Sequence, residues 1–291
     1  MFAIGFGGGI LNGATNSLAA DVSEGERGAK LSLLGVFFGI GALAMPFTIA
    51  TLSHRFSLST IVAAIGALVL APVMFCLAIQ FPPPKQQSER LTIAGGLALL
   101  GDPFLLFACL ALAIQSGLEG MSNDWMTRYF KNVSLAGLGS TEVRAQVALV
   151  AFTGTMTLVR AVLATLLKRV SSRTVLLASI ATTACGAIVL MTTTNYNASL
   201  VGVILIGAGL AAVFPVVLGY VGDCYPRQSG TAFSTIFVLA LVGNMTINKS
   251  FGYIAHDFGI AQYPKMLIGL LVGSAILLHV VYSLFAARSV R

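Results

Sequence analysis

Nine apolar blocks of about twenty residues run through this sequence, at 2–20, 31–53, 58–81, 103–122, 146–167, 173–194, 198–220, 230–248 and 264–287. At about 1.5 Å of rise per helical residue, each is long enough to cross a hydrocarbon layer about 30 Å thick. A backbone in that layer must satisfy its own hydrogen bonds, and blocks of this length do so as helices. Only 9% of the residues are charged, against about 25% in a soluble domain, so water is not the main solvent of this surface. The expected fold class is an all-α membrane protein, a helical bundle with nine transmembrane helices.

The breaks between blocks, such as DVSEGERGAK, FPPPKQQSER, LKRVSSR and DCYPRQSG, carry turn and charge signals. The longest divides the chain into three helices within 1–81, a cytoplasmic linker at 82–102, and six helices within 103–291. Inside the linker, LTIAGGLALLGD reads as a helical lead-in to the next span. Alternate connections collect ten basic residues on one side, Arg27, Lys168, Arg227 and Arg288 among them, and six on the other. The positive-inside bias puts the first side in the cytoplasm. The C-terminus is then cytoplasmic, Met1 external, and the location a cell (inner) membrane. This sidedness accounts for the net charge of +7; no basic cluster interleaved with aromatics points to nucleic acid.

An internal echo runs along the chain. Gly7 and Gly9 match Gly207 and Gly209 at an offset of 200, as Arg27 does Arg227, while Gly41 matches Gly243 at 202. SHRF at 53–56 returns as AHDF at 255–258. Spans one to three thus echo spans seven to nine. In an architecture of two six-helix halves related as parallel repeats, this chain is expected to carry only the last three helices of the first half.

The block at 103–122 ends in IQSGLEGMSNDW, residues 114–125. Gln115, Glu119 and Asn123 stand at i, i+4 and i+8, on one face of a helix, with Glu119 toward the outer end of the span. A charge at mid-bilayer costs about 2.5–3.5 kcal/mol on insertion scales, so this face is expected to line a cavity enclosed by protein. Amides and a carboxylate suit a hydroxyl-rich ligand, and a carboxyl that is able to settle in either protonation state is a candidate proton carrier. Trp125 offers a ring for stacking on a sugar, or an interfacial anchor. Asn12 and Asn16, and again Asn244 and Asn248, repeat the i, i+4 spacing; each amide serves equally as a substrate contact or as an interhelical hydrogen bond of about 0.6 kcal/mol. Arg160, eight residues before Lys168, either snorkels to the membrane face or pairs with a carboxylate, the structural role leading. Pro215 removes a backbone hydrogen bond and predicts a kink. Gly5, Gly9 and Gly13, and Gly35 with Gly39, have the spacing that lets helices approach closely.

No HExxH, GxSxG or P-loop pattern occurs, and Cys76, Cys109, Cys185 and Cys224 form no close pair. No enzyme, cofactor or metal site is expected.

Six-plus-six halves joined by a cytoplasmic linker describe the major facilitator superfamily, and several segments resemble its fucose–galactose–glucose:proton symporter branch. GFGGGILNGATNS (5–17) resembles the fourth helix of that branch. SGLEGMSNDWMTRYF (116–130) resembles the seventh, with Glu119, Trp125 and Tyr129 in register. Gly207, Gly209, Phe214 and Pro215 resemble the tenth, and Val159-Arg160 stands where the eighth usually shows Gly-Arg. The resemblance implies a secondary transporter of sugars or similar small polar solutes, proton-coupled, working by alternating access in a lipid bilayer. It departs from the branch at Asn12, where the symporters carry a carboxylate, whereas Asn16 matches the family's Asn. Glu119 is therefore the expected titrating residue, with Asn12, Asn16, Gln115, Asn123, Trp125 and Asn244 as substrate contacts and Arg160 and Pro215 in gating or structural roles. Two other readings stand beside it: a drug:proton antiporter, and a truncated, non-transporting fragment or assembly partner whose missing N-terminal helices lie on another chain.

Overall fold

Every described element is a helix. The computed structural model of the chain describes residues 2–23, 25–52, 55–81, 93–134 and 141–289, and no strand occurs among them. The elements are α1 (Phe2–Asp21), α2 (Arg27–Leu52), α3 (Leu58–Ala78), α4 (Ile93–Leu99), α5 (Pro103–Tyr129), α6 (Thr141–Leu166), α7 (Ser172–Thr192), α8 (Tyr196–Leu210), α9 (Val213–Cys224), α10 (Ser229–Phe258) and α11 (Tyr263–Ser289). Ser57, Asp102, Ser171 and Asn195 cap α3, α5, α7 and α8, each side-chain oxygen accepting from a first-turn N–H. Gly259, at φ +86°, ends α10 in a conformation that favours a residue without Cβ.

Eight helices among the described residues are long and apolar enough to span a membrane, with α8 and α9 forming one span from Tyr196 to Cys224. The ninth expected span exists as α1, a full twenty-residue helix, but its glycines and asparagines leave it outside the apolar set. Of the linker, residues 82–92 lie outside the described residues; the lead-in reading of LTIAGGLALLGD corresponds to the short helix α4, packed on α10. The block at 103–122 is longer than its apolar run. It continues to Tyr129 and through a five-residue π turn to Ser134, because Ser122, Met126, Tyr129 and Phe130 face protein rather than an aqueous exit. Glu119 is consequently the seventeenth of the 32 residues from Pro103 to Ser134, near the middle of its span and not toward its outer end.

α5 is the hub, packed against α10 and α11 on one side and α6 and α9 on the other. Phe104, Leu105, Leu112, Leu118, Met121 and Met126 are buried along it. Its polar residues are used locally: Tyr263 Oη donates to Ser122 Oγ at 2.9 Å, and Tyr129 Oη donates to the Leu190 carbonyl at 2.9 Å. α7 and α8 meet through glycines. A Cβ at Gly186 would come 2.5 Å from the Gly202 carbonyl, so the two backbones touch where lipid supplies no hydrophobic drive for association.

α1 and α2 lean on this bundle, α1 against α10 and α2 against α6 and α9, while α3 packs on α2. The sequence echo has a counterpart in the elements: α2 starts at Arg27 and α10 at Ser229, again 202 apart. The ion pairs that join the α1–α2 pair to the bundle lie at one end. There Arg27 pairs with Asp223, Glu26 with Lys168 at 2.7 Å, and Ser229 Oγ donates to Asp21 at 2.7 Å. Gly28 and Gly219 bring main chain against main chain; a Cβ at Gly219 would stand 3.1 Å from the Gly28 nitrogen. Asp102 at the same end accepts from Tyr225 and Arg288. Burial works against the charge on Asp102, but these bonds and the Phe104 N–H outweigh it and hold the carboxyl below its ordinary range.

Candidate functional site

Between α1–α2 and α5, α6, α9 and α10 lies a cavity of about 640 Å³. Its walls include Asn12, Thr15 and Asn16 from α1, Gly35, Phe37 and Phe38 from α2, and Ser116 and Glu119 from α5. Arg160 from α6, Phe214 and Pro215 from α9, and Phe237 from α10 complete it. Of the described lining residues, Glu119 and Arg160 are the charged ones. Arg27 and Asp223 are not among its lining residues. A Cβ at Gly8, which lines it, or at Gly5, Gly7, Gly9, Gly13 or Gly41 would meet nothing within 4 Å. Of the two glycine series expected to seat helices, Gly35 and Gly39 do press on Arg160 and Thr157 of α6, whereas the α1 series touches no described neighbour.

Glu119 and Arg160 form a loose ion pair. Arg160 Nη2 lies 3.4 Å from Oε2 and 3.5 Å from Oε1, beyond the usual 2.7–2.9 Å of a charge-assisted bond. Gln115, buried at 1% exposure, donates to Glu119 Oε1 at 2.8 Å with one hydrogen of its amide and to the Leu210 carbonyl at 2.9 Å with the other. Asn123 donates to the Glu119 backbone carbonyl at 2.9 Å and is exposed outside the cavity lining. On α1, Asn16 Nδ2 donates to Asn12 Oδ1 at 2.9 Å and to the Asn12 carbonyl at 2.8 Å. The Asn12 amide hydrogens and the Asn16 amide oxygen then have no partner among the described residues, and both side chains line the cavity.

The remaining candidates lie elsewhere. Asn244 donates to the Ser116 carbonyl at 3.0 Å and accepts from Asn248, which in turn accepts from Trp125 Nε1 at 3.2 Å. Trp125 packs edge-on against Phe251 and under the Arg128 guanidinium. These residues tie α5 to α10 and do not line the cavity. Asn12, Asn16, Glu119, Arg160 and Pro215 are brought together; Gln115 and Asn123 support Glu119 from behind; Trp125 and Asn244 are separate.

A family model described as Major Facilitator Superfamily matches residues 120–289, more than half of the chain. The chain belongs to the major facilitator superfamily. Solved structures agree on the fold. A facilitator transporter, FucP, in the outward conformation superposes with a TM-score of 0.71 at 14% identity, over 91% of this chain and 72% of that one. The E. coli fucose:proton symporter FucP, in a variant form, gives 0.71 at 14% over 92% and 73%. The human organic anion transporter MFSD10 (TETRAN) gives 0.67 at 17% over 91% and 67%. No curated protein matches the sequence.

One element of this candidate site is only half visible in the sequence. The kink expected at Pro215 is a break at Ala211–Ala212, where α8 ends and α9 begins. Proline carries no N–H, so the carbonyl four residues back, Ala211, loses its helical donor. Arg160 Nε points to that oxygen at 3.5 Å, and Gln115 takes the adjacent Leu210 carbonyl. The two side chains that hold Glu119 are therefore themselves held by the main chain of the broken span. Ser32 Oγ donates to the Arg160 carbonyl at 2.7 Å, fastening α2 to the same position. Pro215 announced a freed carbonyl in the sequence; which side chains would meet it depended on how the helices assemble.

Proposed function

We propose that this chain is a secondary active transporter of sugars or similar small polar solutes, proton-coupled and working by alternating access. The observation that carries the reading is the cavity in which Asn12 and Asn16 of α1 face the Glu119–Arg160 pair of α5 and α6. The Asn12 amide hydrogens and the Asn16 amide oxygen, without partners among the described residues, suit hydroxyls. A carboxyl inside a bilayer keeps its charge only beside a cation, and the loose pair at 3.4 Å gives Glu119 a second option, a proton. Similarity to fucose:proton symporter structures supports the same class. By the positive-inside bias the closed Arg27 end faces the cytoplasm, with the C-terminus there and a cell membrane as the location. Inward opening then separates Arg27 from Asp223 and Glu26 from Lys168. Gln115 and Asn123 act as positioning residues for Glu119. Further helices supplied from outside this sequence would be partners of the α1–α3 group.

The test is counterflow and gradient-driven uptake in proteoliposomes, with labelled hydroxylated solutes and an imposed pH gradient. Accumulation against the solute gradient is expected, and Glu119→Gln should retain counterflow while losing accumulation. Uptake by Glu119→Gln that still tracks the pH gradient removes Glu119 from coupling. Absence of counterflow across the whole panel removes the transport reading.

A further inference from the structure

Arg160 carries more than the pairing of Glu119 requires. It is 9% exposed, and its guanidinium presents five N–H donors in a planar fork. Nη2 is engaged with Glu119 and Nε with the Ala211 carbonyl, both at long range, and Nη1 has no hydrogen-bond partner among the described residues. Residue 35 is a glycine where the Arg160 stem packs against α2. A Cβ there would come 2.9 Å from Arg160 Cδ and 3.5 Å from Nη1, and both Gly35 and Arg160 line the cavity. A buried arginine edge, half satisfied and opening on a solute cavity, matches a planar bidentate acceptor.

Resting on the transport reading, we propose that the solute is a hydroxylated monocarboxylate, a sugar acid, whose carboxylate binds Arg160 while its hydroxyls meet Asn12 and Asn16. Charge selects this class over phosphate esters: the described cavity lining has one cation, already shared with Glu119, and a dianion would leave charge uncompensated. It also supplies the coupling. The incoming carboxylate competes with Glu119 for the guanidinium, and Glu119, left without its cation, accepts a proton from the outer solution. Solute anion and proton then cross together and part on the other side, where the proton leaves Glu119 and the Glu119–Arg160 pair re-forms. One negative and one positive charge move per cycle, so transport is electroneutral. A neutral hexose carried with a proton would instead move net charge.

The experiment uses the full chain in proteoliposomes with labelled glucuronate. Uptake should follow an imposed pH gradient and ignore a potassium–valinomycin potential. Unlabelled gluconate should inhibit at least tenfold better than glucose or glucose 6-phosphate. Arg160→Gln should abolish glucuronate uptake; Arg160→Lys, which keeps the charge without the fork, should leave uptake pH-driven and raise KM about tenfold. Proton-driven, potential-sensitive glucose uptake with no response to the acids overturns the sugar-acid assignment and leaves the transport reading standing. Preference for glucose 6-phosphate overturns it too. No uptake or counterflow of any probe overturns both.

Discussion

The α1–α3 group and the α8–α11 group echo one another in sequence at an offset near 200, yet they sit in different surroundings. Gly207 and Gly209 of α8 are pressed on main chain: added Cβ atoms would come 2.5 Å from the Phe152 carbonyl and 2.7 Å from that of Ser179. Their counterparts Gly7 and Gly9 on α1 meet nothing within 4 Å. A Cβ at Gly243 on α10 would come 2.6 Å from the Ala113 carbonyl of α5, while one at Gly41 on α2 would meet nothing within 4 Å. Burial follows the same division: 67% of the most apolar stretch of Tyr196–Cys224 is buried but only 6% of that of α3. The same residue at the same place in a repeat is a helix-packing contact in one copy and an unoccupied surface in the other. Apolarity fixes that a segment belongs in the bilayer; small residues opposite another backbone decide whether it is seated against protein.

This contrast can be broken by matched substitutions. The largest effect is expected for Gly209→Ala, whose methyl would meet Thr183 N at 2.6 Å and the Ser179 carbonyl at 2.7 Å. Overpacking of that kind costs about 1–3 kcal/mol, read as a lowered unfolding midpoint in detergent; an unchanged midpoint would dissolve the comparison. Gly243→Ala should cost a similar amount, about 1–3 kcal/mol, since its methyl would meet the Ala113 Cβ and carbonyl oxygen, both at 2.6 Å, and neither is the end of a flexible side chain. The next test concerns the charged end. Asp102 has its folded carboxyl held low, so its contribution is intact at neutral pH. It is lost as pH drops below the ordinary carboxyl value of about 3.9. Asp102→Asn should flatten the acid side of the stability–pH curve, whereas Glu26→Gln, at an exposed pair with Lys168, should leave it unaltered. The smallest effects belong to Gly9→Ala and Gly41→Ala, within about 0.5 kcal/mol of the parent. A large loss at either would mean that α1 or α2 is seated against something.

Much of this was legible from the chain. The spans were, because blocks of about twenty apolar residues have one stable solution in a bilayer. The exit of α5 was not: SNDWMTRY looks like a polar boundary, but Tyr129 and Ser122 spend their hydroxyls on Leu190 and Tyr263. The stripe Gln115–Glu119–Asn123 was read as one face, and residues four apart drift about 40° per step around a helix. That drift turns Gln115 toward the Leu210 carbonyl, Glu119 into the cavity and Asn123 out of it. Trp125 and Asn244 could not be assigned from spacing, since an amide that ties two helices and one that binds a solute look identical until the neighbouring helix is placed.

The joint between Gly28 and Gly219 has one further implication. Two bare backbones meet there without side chains of their own, so what holds the joint lies in the groups around it, above all the charges of Arg27 with Asp223 and Glu26 with Lys168. A joint held by partly exposed ion pairs responds to the electrolyte bathing it. Raising the ionic strength is therefore expected to loosen the seat of α2 on α9 and α6 at that end before it loosens the bundle itself.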